Sequence, residues 1–177
     1  MHSLVVLTGA SGAGKTTIAK SVEAMRLPNH VTLFFDSIGV PSADERRARY
    51  GIEPQPGGGW QRAMTREWMK RIRSIVDMGH SVLFEGQMRI SFITEALAAA
   101  QIDRVRVFLV DCDDSTRKER LCVNRMQPDL AGPDMLNWAC FLRQEAALAD
   151  IEILDTSRLS LRESVEIILQ QFWTTGT

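Results

Sequence analysis

The octet Gly9-Ala10-Ser11-Gly12-Ala13-Gly14-Lys15-Thr16 fits the pattern G-x-x-x-x-G-K-[ST], and no other stretch restricts so tightly what this chain can fold into. Such a loop works between a strand and a helix. Leu4-Val5-Val6-Leu7-Thr8 before it is an apolar run of strand length, and Ile18, Val22 and Met25 after it recur on one helical face. Glycines let backbone N–H groups turn inward around an anion, and the new helix adds the positive end of its dipole. Gly9, Ala10, Ser11, Gly12, Ala13 and Gly14 are therefore expected to cradle phosphate oxygens mainly with backbone. Lys15 reaches the β- and γ-phosphates as a point charge, the Thr16 hydroxyl ligates the bridging magnesium ion, and Thr17 offers a second hydroxyl nearby. The ligands this implies are ATP and Mg2+.

A chain of 177 residues can bury a substantial core and reads as one domain, 1–177. Hydrophobic residues at 45% and charged residues at 24% are ordinary for a globular protein, and a net charge of -1 leaves no global footprint for nucleic acid or a membrane surface. No apolar run approaches a membrane span, and no secretory signal is visible. A cytoplasmic protein is expected. Cys112, Cys122 and Cys140 are odd in number and lack C-x-x-C spacing, so they read as reduced, buried thiols.

The first helix is expected to stop near Leu27-Pro28-Asn29, because proline disfavours helix in the residue before it. His30 to Phe35 reads as a second strand ending in Asp36-Ser37, which sets a carboxylate at the edge where open α/β sheets bind ligands. Ser42-Ala43-Asp44-Glu45 is a capping box for a short helix through Tyr50, closed by Gly51. Glu53 to Gly59 has no periodicity and reads as a mobile loop or hinge. Trp60, Met64, Trp68, Ile72, Ile75 and Val76 mark the core stripe of a long helix that Gly79 ends. Between Arg46 and Arg73 eight basic residues stand against two acidic ones. Most read as solvated helix faces, while the asymmetry makes Arg46 and Arg49 candidates for holding an anionic acceptor.

Ser81 to Glu85 is a third strand, again ending in a carboxylate, and Glu85 can enter the magnesium shell through water, with Arg89 facing a substrate. A helix with Ile93 and Leu97 and a fourth strand, Arg104 to Val110, follow, and Asp113-Asp114-Ser115 caps the next helix. That helix runs to about Arg125 and carries Arg117, Lys118, Arg120 and Arg125 before Met126 to Pro133, a short loop with cations at its entrance, as a lid over the γ-phosphate needs. Pro133 suits the first position of a helix burying Met135, Leu136, Ala139, Leu142 and Ala146. Ile151 to Leu154 is a fifth strand, and Ser160-Leu161-Arg162-Glu163 a second capping box.

This order of pieces resembles the small P-loop kinases: the nucleoside monophosphate, shikimate, gluconate and chloramphenicol kinases. The resemblance implies that Asp36, in Phe34-Phe35-Asp36-Ser37, acts on the acceptor hydroxyl. Glu85-Gly86-Gln87-Met88-Arg89 resembles the D-G-F-P-R segment of nucleoside monophosphate kinases, with Glu85 replacing the acid and Arg89 matching the substrate-facing arginine. The missing Phe and Pro argue against a monophosphate acceptor bound in the usual way. Arg120 and Arg125 resemble the lid pair that contacts adenine and phosphates, at a spacing of five where the family has four. Asp155-Thr156-Ser157-Arg158 resembles the loop that passes the adenine, which gives Ser157 and Arg158 nucleotide contacts.

The expected fold is a doubly wound α/β domain with a five-stranded parallel sheet, order 2-3-1-4-5, an acceptor-binding insertion at about 37–60 and a lid at about 126–133. The expected function is ATP-dependent phosphoryl transfer to a hydroxyl of a small-molecule acceptor, with Lys15, Asp36 and Arg125 catalytic. A kinase of nucleotides or polynucleotide ends, and a nucleotide-binding switch with slow ATPase, stay open as rivals.

Overall fold

The computed structural model describes residues 3–51 and 58–173. Five short strands, β1 (Leu4–Thr8), β2 (His30–Phe34), β3 (Ser81–Glu85), β4 (Val105–Asp111) and β5 (Glu152–Asp155), form one sheet in the order β2-β3-β1-β4-β5. Every pairing is parallel. Parallel neighbours cannot be joined by hairpins, so helices fill the crossovers. Among the described residues these are α1 (Lys15–Ala24), α2 (Ala43–Tyr50), α3 (Gly58–Asp77), α4 (Ile90–Ala99), α5 (Asp114–Glu119), α6 (Pro133–Leu148) and α7 (Leu161–Trp173). The doubly wound fold and strand order are those expected from the sequence.

The two-residue period of a strand divides the central sheet between two cores. Leu4, Val6, Val82 and Phe84 point to one face, against Trp60, Trp68, Met69, Ile72 and Ile93 of α3 and α4. Val5, Leu7, Leu83, Phe108 and Val110 point to the other, against Ile18 and Val22 of α1 and Val165, Ile168 and Phe172 of α7. Leu142 and Ala146 of α6 cover Leu109. Burial on both faces is what near-continuous apolar strands such as Leu4–Leu7 require. The register sets Leu7 and Phe34 level with Glu85, so the segments leaving β1, β2 and β3 emerge side by side at one edge.

Several boundaries differ from the expected ones. α1 ends at Ala24, and Met25 is its C-cap, 48% exposed, with Ala19 taking the buried place beside Ile18 and Val22. β2 ends one residue early because Phe35–Ile38 close into a 3-10 turn, which carries Asp36 beyond the sheet edge. The capping boxes of α2 and α7 are formed. The loop expected over Glu53 to Gly59 lies outside the described residues up to Gly57, and Gly58 and Gly59 belong to α3. Cys112 is buried, Cys122 half-buried and Cys140 exposed, so the thiols are free but not all buried. No described helix is long and apolar enough to cross a membrane.

The exit of β3 is the tightest point of this edge. A Cβ on Gly86 would lie 2.4 Å from the Phe35 Cβ, and Phe35 is locked by Trp60 and by the Trp68 indole N–H, which donates to its carbonyl at 3.1 Å. Gly86→Ala is therefore expected to destabilise the fold by about 1–3 kcal/mol, the range for overpacking, read as a lowered Tm in thermal unfolding. An unchanged Tm would mean that Phe35 can move aside.

Candidate active site

The loop between β1 and α1 is shaped by close backbone approach. Gly9 has φ 148°, and a Cβ there would stand 2.1 Å from the Val110 carbonyl oxygen, so no side chain fits. Behind this turn Lys15 is buried, its Nζ donating to the Ala10 carbonyl at 3.0 Å. The Thr16 hydroxyl donates to Glu85 Oε1 at 3.2 Å and the Ser11 hydroxyl to Gln87 Oε1 at 3.1 Å. Two side chains of the phosphate loop and its helix are thus bonded to two side chains at the end of β3.

Burial pushes the Lys15 ammonium down to about 8 from its ordinary 10.5; Glu85 pulls it back, Arg117 and Arg125 push it further down, and Asp36 again pulls it up. Burial pushes the Glu85 carboxyl above its usual range, against the opposing pull of Lys15 and the Thr16 hydrogen bond, while Asp36 adds to the rise. Glu85, Asp36 and Arg125, three of the residues singled out in the sequence, therefore all act on one ammonium.

A network of arginines backs the loop. Arg117, fully buried, donates to the Ser11 carbonyl at 2.7 Å, to Asp111 at 2.5 Å and to the Cys112 carbonyl. Arg143 of α6 holds the second Asp111 oxygen at 2.5 Å. Arg120 donates to the Gly12 and Ala13 carbonyls and to both the hydroxyl and the carbonyl of Thr156. From Arg120 to Asn124 the helix widens into a π turn, and the Arg125 N–H donates to the Arg120 carbonyl at 3.0 Å, five residues back. In a regular α-helix residues five apart diverge by about 140°. The π turn absorbs the extra residue, and Arg120 and Arg125 line the same cavity of about 720 Å³. Its other walls include Lys15 to Ile18, Lys20, Thr156, Leu159 and Ser164, which gives a polar end and an apolar patch of the size a nucleotide needs.

Asp36, expected to face an acceptor, is exposed. Arg46 of α2 stacks over Trp60 with its guanidinium 5.8 Å from the ring, and Arg49 lies over Tyr50 at 5.5 Å. The basic residues of α3 are largely matched: Arg62 and Arg66 with Glu95, Lys70 and Arg71 with Glu67, Arg73 with Asp77. Arg89 is held in the fold, bonded to Glu145 at 2.9 Å and clamped between the Phe92 and Phe141 rings.

Where the adenine loop was expected to contribute Ser157 and Arg158, Thr156 and Leu159 line the cavity. Ser157 accepts the Asp113 N–H, and Arg158 pairs with Asp155 while 87% exposed. Asp111 lies one residue beyond the expected end of the fourth strand, and Arg117 reads in the sequence as one more helix cation. The one available signal was the spacing of three between Arg117 and Arg120, which places them on one helix face. Gln87 was quoted only as a departure from a motif.

A strand, a glycine-rich phosphate loop with its buried lysine, and a helix at the edge of a parallel sheet define a P-loop nucleotide-binding fold of the kinase type. A family model described as an AAA domain matches residues 5–129, more than half of the chain. The chain belongs to this family. Similar solved structures include a sugar kinase from Janibacter sp. HTCC2649 (TM-score 0.62, 21% identity, covering 96% of this chain and 93% of that one). They also include a gluconokinase from Sinorhizobium meliloti 1021 (0.58, 16%, 94% and 89%). A shikimate kinase from Acinetobacter baumannii in complex with shikimate is a third (0.56, 13%, 96% and 92%). No curated protein matches in sequence. At these identities the likeness is one of fold.

The depressed lysine has a measurable consequence. With its pKa at about 8 in the free protein, Lys15 is only partly protonated between about pH 8 and 9, and phosphate anions will raise its pKa. Binding of magnesium-ATP is therefore expected to take up protons in that window, with little uptake from Lys15 near pH 6.5, where it is already charged. Calorimetry in buffers of different ionisation enthalpy reads the sign, and proton release at the higher pH would contradict the assignment.

The two cavity arginines are expected to separate. Arg120→Ala unties Thr156 from the loop and should lower Tm and nucleotide affinity together, whereas Arg125→Ala should leave Tm unchanged and cut turnover by about 10³-fold. Equal, small effects from both would reduce them to a solvated helix face.

Proposed function

We propose that the protein is a kinase that transfers the γ-phosphoryl group of ATP to a hydroxyl of a small-molecule acceptor, with chain 1–177 acting as one domain. The observation that carries this reading is the common edge at which β2 and β3 end: Glu85 bonds Thr16 beside the buried Lys15, and Asp36 follows two residues after Phe34, which is level with Glu85. An ATP-hydrolysing switch needs the phosphate loop and the metal-side acid; a second carboxylate beside the transfer point is what an acceptor hydroxyl needs.

In this reading Gly9 to Gly14 hold the phosphates through backbone N–H groups, Lys15 leaves the Ala10 carbonyl for phosphate oxygens, and Thr17 adds a hydroxyl at the cavity wall. Magnesium would supply charge neutralisation at the phosphates. The Thr16 hydroxyl and, through water, Glu85 would hold it: hard oxygen donors already 3.2 Å apart, with phosphate and water completing the shell. Asp36 orients the acceptor hydroxyl and takes its proton as the new O–P bond forms and the bond to the leaving ADP oxygen breaks. Arg125 stabilises charge on the transferring group, and Arg120 borders the nucleotide.

Arg46 and Arg49 have no acidic partner among the described residues, and an anionic acceptor between α2 and Asp36 would engage them. With its guanidinium on Glu145, Arg89 is tied into the fold. The short exposed segment 126–133, built around a 3-10 turn at Pro128–Ala131, serves as the lid. The reading keeps ATP and a small molecule as the partners, without nucleic acid or membrane, in the cytoplasm.

The test is Asp36→Asn, which keeps shape and loses charge. ATP affinity, read by calorimetry, is expected to stay at the wild-type value, while acceptor-dependent ADP release, found by screening hydroxyl compounds with and without acidic groups, falls by roughly 10²–10⁴-fold. If no acceptor stimulates ADP release from the wild type and Asp36→Asn changes ATP affinity instead, the kinase reading gives way to the switch.

A further inference from the structure

The segment leaving β3 is held more firmly than a connecting loop requires. Its Gly86 N–H donates to the Leu7 carbonyl at 3.0 Å. The buried carboxamide of Gln61 donates to the Gln87 carbonyl and accepts from the Arg89 N–H, both at 2.8 Å. The Thr8 hydroxyl bonds both the N–H and the carbonyl of Met88. With the backbone tied on both sides, the direction of the Gln87 side chain is set, and it runs to the phosphate loop, where Oε1 accepts from the Ser11 hydroxyl at 3.1 Å. Ser11 follows Ala10, whose carbonyl holds the Lys15 ammonium. The carboxamide therefore stands at the mouth of the loop, on the same edge as Glu85 two residues earlier. Its Nε2 has no partner among the described residues.

We propose that Gln87 is a further catalytic residue of this site, its Nε2–H group donating to the γ-phosphoryl oxygens as charge shifts during transfer. The proposal rests on the kinase reading above. Three features favour this chemistry. The carboxamide is tethered at one end and open at the other, the arrangement of a donor organised before the reaction. It is neutral, so it adds a donor to a centre already holding Lys15, Glu85, Asp36 and Arg125 without moving the lysine further from its charged form. Its backbone is rigid, so the N–H group meets the transferring phosphoryl without reorganisation.

Gln87→Leu keeps the bulk and removes the donor. Affinities for magnesium-ATP and for magnesium-ADP with aluminium fluoride, a mimic of the group in flight, are measured by calorimetry, with Tm beside them. ATP affinity and Tm are expected to match wild type, while affinity for the fluoride complex and the rate of ATP turnover fall together by about 10²–10³-fold. Gln87→Glu, which keeps an oxygen for Ser11 and replaces the donor by a charge, is expected to lose ATP affinity as well. A Gln87→Leu variant that binds the fluoride complex as wild type does, or that loses ATP affinity and Tm in equal measure with it, overturns the proposal and leaves Gln87 a tie between β3 and the loop. Failure of the wild type itself to bind either complex would overturn the kinase reading, and the proposal with it.

Discussion

A buried ammonium is the constraint around which this edge of the sheet is built. Lys15 begins α1 behind the backbone turn that Gly9 makes against Val110, and its side chain is buried. A charge in that position is costly unless paired. The free protein meets the cost in part with the Ala10 carbonyl and with two carboxylates at a distance, Glu85 and Asp36, yet burial still wins and the ammonium loses part of its hold on the proton. A polyphosphate is the partner such a group lacks. The same burial acts on Glu85 in the opposite sense and favours its neutral form.

Behind the loop stands a different electrostatic solution. Arg117, Asp111 and the half-exposed Arg143 form a cluster whose members also bond the carbonyls of Ser11 and Cys112. Desolvation roughly cancels the attraction in such clusters, whereas removing Asp111 would leave the buried Arg117 uncompensated at a cost of about 3–5 kcal/mol. The cluster therefore tells more about geometry than about net stability. It fastens α5, α6 and the phosphate loop to the end of β4, and Arg120 adds Thr156 of the loop after β5. The positions of the loop carbonyls, and so of the N–H groups that face phosphate, are set from outside the loop.

The sheet and the phosphate loop were legible in the sequence because local rules specify them. Apolar runs, capping boxes and the glycine pattern are each written in adjacent residues, and β1, β3 and α2 fall where those residues place them. What was not legible depends on contacts distant in sequence. Ser157 and Thr156 are neighbours with hydroxyls, and only the approach of Arg120 and Ala13 decides that Thr156 turns inward. Arg89 carries the expected charge at the expected place, but Glu145, 56 residues away, takes its guanidinium. Gln87 looked like a lost motif residue until Ser11 stood opposite it.

The five-residue spacing of Arg120 and Arg125 shows how a helix can hide a shared cavity wall from a reader of spacings. One inserted residue in an α-helix would turn Arg125 away from the cavity, and the widened turn returns it. The insertion has a further effect on how this region can move. α5 and α6, the helices on either side of residues 126–132, are both bonded to Asp111 through Arg117 and Arg143, and the π turn ends where the Gln127 N–H bonds the Leu121 carbonyl. Both flanks are thus anchored to the sheet edge. Any closure over the phosphates has to come from the few residues between them, with Arg125 at the point where the anchored helix ends.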